Sequence, residues 1–251
     1  MFRGIVKFSA AIKGEGVTFP AIVLKASELG IEKVEVEGQT GSSIQGTVHI
    51  ASVLNQEEGR FLATKVIVST LNRISFLHCL AIENHEITGE DFSPMNGDTN
   101  VFVALSGSYG IRGFPASMPV GIVPDTLKAK LERASLPGEA FFNLFRSARL
   151  SLSPVEEFVT LYNILLMVCG DSPAKVDAFV RSVDPRVPQT PDPRPGYNHM
   201  ETVYSRLRNE LAHPSRGANL DVTKAEMAQR VGKLAALTKR AIESHGRKPV
   251  G

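Results

Sequence analysis

The chain has 251 residues, of which 43% are hydrophobic and 22% charged, with 15 Pro, 21 Gly, two Cys and no Trp. These values exclude a collagen-like, a disordered and a disulfide-framed chain, and the length suffices for one large core or two small ones. The net charge of +2 conceals a gradient: residues 1–120 carry 9 Lys/Arg and 12 Asp/Glu, residues 121–198 carry 9 and 9, and residues 199–251 carry 10 and 5. A basic C-terminal end attracts an anionic partner such as a nucleic acid, and the plainer reading is a solvated Lys/Arg helix face.

Met1-Phe2-Arg3-Gly4 leads into alternating residues with no apolar leader segment. Strands are expected at 6–10, 17–24 and 33–37, the last alternating with period two. Residues 38–41 (Gly-Gln-Thr-Gly) read as a hairpin turn and 46–50 as the returning strand. From 56 to 81 the period changes. Ala63, Val66, Ile67, Thr70, Leu71, Ile74, Leu77 and His78 form a stripe at helical spacing, which predicts an amphipathic helix. Strands resume near Glu86 and at 100–105, followed by a glycine-rich loop over 106–115. That loop lacks the spacing of a nucleotide-binding turn and reads as a plain turn.

Past about residue 119 the strand signals end. Asp125 is expected to cap a helix over 126–134, and a further helix covers 139–150. Ser153-Pro154-Val155-Glu156 is a helix start, with Ser153 as cap, Pro154 in the first helical position and Glu156 closing a capping box. This helix is apolar nearly all round and is expected at the centre of a bundle. It contains Glu156, Glu157 and Asn163 and is too short to span a bilayer, so a cytoplasmic protein is expected. Pro173 opens another helix to about 181. Residues 184–196 hold five prolines and read as a stiff loop near the site of the helical domain. Helices follow over 199–212 and 221–244. Cys79 and Cys169, 90 positions apart, read as small buried hydrophobes in a reducing compartment.

The informative segment is 201–214, Glu-Thr-Val-Tyr-Ser-Arg-Leu-Arg-Asn-Glu-Leu-Ala-His-Pro. Leu207 and Leu211 are expected to face the core. Pro214 disfavours helical geometry at the residue before it, so the helix should end at Ala212 and His213 turn off its end. The negative end of the helix dipole favours a cation there. An imidazolium beside Arg208 and the Asn209 amide suits a phosphate. The alternative is two inward leucines with Arg, Asn, Glu and His in solvent. His78 reads as a core residue. Glu83, His85 and Glu86 lack a second ligand cluster, so no metal is expected.

Arg208-Asn209-Glu210-Leu211-Ala212-His213 resembles the Arg-polar-x-x-x-His motif of the HEPN superfamily, and Tyr204-Ser205-Arg206-Leu207 with Pro214 resembles its Apea-like members. The resemblance covers roughly residues 120–245. The pattern along the chain therefore predicts an α+β protein with a mixed strand/helix domain at 1–118, and the resemblance implies that 119–251 is an all-α HEPN-like bundle. It implies metal-independent RNA cleavage, with Arg208, Asn209 and His213 catalytic, Tyr204, Arg206 and Arg216 binding substrate, and no cofactor. Arg208 would clamp the phosphate, Asn209 orient the imidazole or the phosphate, and His213 transfer a proton. The implied partners are RNA and a second copy of the chain, whose motif faces the first. No membrane is implied, and an antitoxin-like or pathway partner stays open. The full chain also resembles the methylamine utilisation MauJ family through 161–166 (Leu-Tyr-Asn-Ile-Leu-Leu), 189–193 (Gln-Thr-Pro-Asp-Pro) and 223–227 (Thr-Lys-Ala-Glu-Met). That likeness implies a non-catalytic accessory or adaptor role.

Overall fold

The computed structural model describes residues 1–14, 17–26, 28–39, 42–95, 120–133, 136, 138–193, 199–213 and 219–245. It is a mixed α+β chain in two compact units, Met1–Ser135 and Leu136–Gly251. The strand expected at 100–105, the glycine-rich loop, the turn tip at 40–41, and Pro214, Arg194 and Arg216 lie outside the described residues.

In the first unit β1 (Phe2–Lys13), β2 (Val17–Lys25), β3 (Ile31–Gln39) and β4 (Ser43–Val53) form the body of a sheet. Helix α1 (Gln56–His78) follows, then β5 (Ala81–Ile82), β6 (Glu86–Pro94) and β7 (Val120–Gly121). The sheet order is β5-β1-β4-β3-β2-β7, with β6 also on β1; β2 and β7 run parallel and the other pairs antiparallel. Alternation fixes the register. Val6, Phe8, Ala10 and Ile12 of β1 are buried, as are Ile44, Val48 and Ile50 of β4. Ala63, Ile67, Leu71 and Ile74 of α1 join that same core. Asn55 caps α1, its side chain accepting from the Glu58 N–H at 2.8 Å. Gly59 allows the close approach, since a Cβ there would sit 2.5 Å from the Phe92 ring.

Two expectations shift at this end. Cys79 and His78 are half-buried at the helix terminus rather than in the core, with Cys79 in the left-handed conformation that ends α1. Helix α2 (Pro124–Leu131) is capped by Val123 with Pro124 in its first turn, so Asp125 lies inside it. Leu127 and Leu131 pack into the sheet core, and Arg73 of α1 donates to the carbonyls of Leu131 and Arg133 at 2.7 and 2.8 Å. The division between units therefore falls at 135/136 and not at 118/119, and α2 belongs with the sheet.

The second unit opens with a 3-10 turn (Glu139–Phe141) and α3 (Phe142–Arg149). Gly138 precedes them at φ +73°, where a Cβ would lie 2.3 Å from Ile242. Helices α4 (Pro154–Val168) and α5 (Pro173–Val183) come next. Two short strands, β8 (Gln189–Pro191) and β9 (Met200–Thr202), lead into α6 (Val203–Ala212) and α7 (Leu220–His245). Helix α4 packs on α3, α5, α6 and α7, as a central helix should. It is not buried all round, because Asn163 and Met167 face solvent. Ser153 accepts from the Glu156 N–H at 3.2 Å, while the Glu156 carboxylate reaches the N–H of Leu152 rather than of Ser153.

The unit is not all-α. The proline-rich stretch forms β8, which pairs with β9 in the register Gln189↔Thr202, Thr190↔Glu201, Pro191↔Met200. Pro191 is tolerated because it sits between the hydrogen-bonded positions: the Asp192 N–H donates to the His199 carbonyl at 2.8 Å, and no N–H is needed one residue earlier. Consequently α6 starts at Val203, and residues 200–202, expected to be helical, are strand. Helix α7 buries Thr223, Met227, Leu234, Ala235, Leu237, Thr238, Ala241 and Ile242, while Ala225 and Ala228 face solvent. Among the described residues no helix is long and apolar enough to cross a membrane.

Candidate functional site

Helix α6 carries the candidate residues and packs on α4, α5 and α7. It ends at Ala212, as Pro214 requires. His213 is extended (φ −133°, ψ 73°) and its N–H donates to the Asn209 carbonyl at 2.9 Å. The His213 side chain is exposed and makes no hydrogen bond or ion pair among the described residues.

Arg208 and Asn209 are half-buried and act together. The Asn209 Nδ2 donates to Glu201 Oε1 at 2.7 Å, and Arg208 Nη1 donates to Asn209 Oδ1 at 3.3 Å. Glu201 is buried on β9. This chain of contacts commits both ends of the amide. Asn209 therefore bridges Glu201 and Arg208 and orients the guanidinium.

Beneath them lies Asp177, fully buried on α5. Its Oδ1 accepts from the Thr202 N–H at 3.0 Å, Thr202 Oγ1 at 2.6 Å and Ser205 Oγ at 2.7 Å. Its Oδ2 pairs with His199 Nε2 at 2.9 Å. Thr202 is the N-cap of α6 and makes no cap bond of its own, so Asp177 supplies the anion at that helix N-terminus from another helix. Ser205 Oγ also lies 2.9 Å from the Tyr162 hydroxyl. Ser205 has one proton and gives it to Asp177, so Tyr162 is the donor to Ser205. Burial pushes the Tyr162 phenol up to about 12; Asp177 and Glu201 act in the same direction, and Ser205 and Arg208 against it. Arg208, Glu201 and Asp177 thus all lie within electrostatic reach of one buried hydroxyl.

Of the expected binding residues, Tyr204 and Arg206 are each committed within the second unit. Tyr204 is fully buried and stacks on Phe158 with centroids 6.2 Å apart, so it touches no substrate. Its hydroxyl finds no hydrogen-bond partner among the described residues, and burial pushes it up to about 12. Arg206 is clamped between Glu210 at 2.6 Å and Glu226 at 2.5 Å, which ties α6 to α7. Burial opposes its charge, and these two carboxylates more than offset that opposition. Arg216 lies outside the described residues. Leu207 is buried as expected, and Leu211 half-buried.

The chain matches no family model, no curated protein and no solved structure. The site offers one oriented guanidinium, one exposed imidazole at a helix C-terminus, and a second imidazole on a buried carboxylate. Among the described residues no group of three or more His, Cys, Asp and Glu is placed to hold a metal ion.

Five members escaped sequence reading: Tyr162, Asp177, His199, Glu201 and Ser205. One signal was present. Asp177 sits between Val176 and Val180 on the buried side of α5, where an acid needs an explanation. Asp192, within the proline-rich stretch, is buried beside His199 in the hairpin.

Proposed function

We propose that the chain is a HEPN-like protein that binds RNA and cleaves it without a metal ion. Arg208 holds the phosphate and His213 transfers a proton. The observation that carries this reading is the fixed guanidinium: Glu201 and Asn209 orient Arg208 on the last turns of α6, and the same helix ends in an exposed imidazole. A phosphate bound there meets a pre-oriented fork donor, which loses little entropy on binding. The reaction is attack of a ribose 2′-hydroxyl on the adjacent phosphorus. It leaves a 2′,3′-cyclic phosphate and a 5′-hydroxyl.

A second reading has its own support. Arg208 is tied through Asn209 to Glu201, and Glu201 and Asp177 are both buried, which suits a polar core that merely holds α6 in place. On that reading the chain is a non-catalytic accessory or adaptor protein, of the kind the MauJ resemblance implies.

Incubation with structured and unstructured RNA in EDTA separates the two. On the first reading wild-type protein cleaves to cyclic phosphate ends, and Arg208→Ala and His213→Ala each lose at least about 100-fold in rate while RNA-free stability barely changes. Absence of cleavage by a folded wild-type protein selects the adaptor.

A further inference from the structure

Attack by a 2′-hydroxyl requires a base for the nucleophile and an acid for the leaving oxygen. His213 is one group, and the superfamily resemblance supplies the other from a second copy of the chain. The structure contains an alternative within one chain. His199 is about a quarter exposed, at 28% for its side chain, and its Nε2 lies 2.9 Å from Oδ2 of Asp177, which is fully buried. Oδ1 of that carboxylate is already engaged by three donors, and His199 is the one partner recorded for Oδ2 among the described residues. In the neutral imidazole the Nε2–H is therefore the donor to the Asp177 carboxylate, and Nδ1 carries the lone pair. Nδ1 makes no hydrogen bond among the described residues. A buried carboxylate that fixes the tautomer of a solvent-accessible histidine is the arrangement of a general base.

Its position relates to Arg208 through Ser205. Ser205 bonds the same Asp177, and Arg208 follows three residues later on the same face of α6. The charged groups around His199 are Asp177 and Arg181 of α5, Asp192 across the hairpin, and Glu201 on its own strand. Arg181 is engaged with the Met200 carbonyl at 3.0 Å, Glu201 with Asn209, and the Asp192 backbone with the His199 carbonyl.

We propose that His199, oriented by Asp177, is the second proton-transfer group of the α6 site, so that a single chain carries both base and acid. This rests on the RNA-cleaving reading. His199 Nδ1 takes the 2′-hydroxyl proton as the 2′-oxygen bonds to phosphorus. The bond from phosphorus to the 5′-oxygen breaks, and protonated His213 gives that oxygen its proton. Arg208 holds the non-bridging oxygens throughout. One proton enters the protein and one leaves, and no other reactant is required. Asp177 is a positioning residue.

The test is cleavage of a short single-stranded RNA across pH by wild type, His199→Gln, His199→Ala, His213→Gln and Arg208→Ala. The Gln amide still donates to Asp177, so His199→Gln should fold and keep the wild-type RNA Kd. We expect its kcat to fall at least about 100-fold and the acid limb of the pH profile to vanish, with the alkaline limb retained. His213→Gln should lose the alkaline limb instead. Free imidazole should restore cleavage by His199→Ala, which it would not do for a purely structural residue. A mixture of His199→Gln and His213→Gln should stay inactive, because neither chain holds both groups. The proposal is overturned if His199→Gln retains the wild-type rate and both limbs while Arg208→Ala and His213→Gln are impaired, or if the mixture recovers activity. If wild type cleaves no RNA, or Arg208→Ala cleaves as fast as wild type, the underlying reading falls and the proposal with it.

Discussion

Asp177 and the two buried tyrosines show how single side chains set the polar order of the second unit. Asp177 satisfies a backbone N–H, two hydroxyls and an imidazole at once, and all but the imidazole are buried. Asp177→Ala strands those donors and leaves a void, so it should cost about 3 kcal/mol, read as a lower urea midpoint at unchanged m-value. The tyrosines make a sharper contrast. Tyr162 donates its proton to Ser205, and its replacement by Phe should cost about 1 kcal/mol. Tyr204 is equally buried, but its hydroxyl has no partner among the described residues. Tyr204→Phe removes an unpaid desolvation and keeps the stack on Phe158, so stability should stay within about 0.5 kcal/mol of wild type or rise. If Tyr204→Phe proves the more damaging of the two, that account of the core is wrong.

At the scale of elements, α6 is held to α7 by a network of charges. Arg206 and Arg230 both contact Glu226, and Thr223 Oγ1 donates to Glu210 at 2.8 Å. Burial pushes the Glu226 carboxyl up, and the two guanidiniums overcome this and hold it below the usual carboxylate range. A carboxylate depressed in the folded state contributes stability above its unfolded pKa and loses it as pH falls through the folded value. Glu226→Gln should therefore cost about 0.5–1 kcal/mol near pH 7, in the range of partly solvated ion pairs. The difference should shrink to nothing as pH drops below the carboxylate range, and denaturant titrations of both proteins from pH 7 to pH 3 would check it.

The helices of the second unit were legible because their ends are written in local chemistry: Ser153-Pro154 at the start of α4, and Pro214 after α6. The strands β8 and β9 were not. Each has three residues, too few to show a period of two, and Pro191 argues against a strand until its place in the register is known. The Arg-Asn-His segment could be read because it lies within six consecutive residues. The pairing of Asp177 with His199 spans 22 positions and exists only after the hairpin folds onto α5, and no spacing rule reaches it.

At the scale of the whole molecule, the charge gradient takes a different meaning once the units are drawn. Residues 1–135 carry 12 basic and 14 acidic side chains, and residues 136–251 carry 16 and 12. The excess of the second unit is smaller in effect than its count. Arg206, Arg230 and Lys233 are paired with Glu226, Glu210 and Asp184, and Arg149 is paired with Glu157. Pairs of this kind hold helices together and release no counterions when a polyanion arrives. A surface that binds RNA through all its Lys and Arg would show a steep salt dependence. Here the groups proposed to meet phosphate are Arg208 and His213, about two contacts. Affinity for single-stranded RNA should then fall only roughly tenfold between 50 and 200 mM salt. Arg208→Ala should make that slope shallower by nearly one contact, whereas Arg206→Ala should leave the slope unchanged while lowering stability. Fluorescence anisotropy at four salt concentrations on these three proteins measures both quantities. A wild-type slope equivalent to eight or more contacts would mean that the binding surface lies elsewhere on the chain.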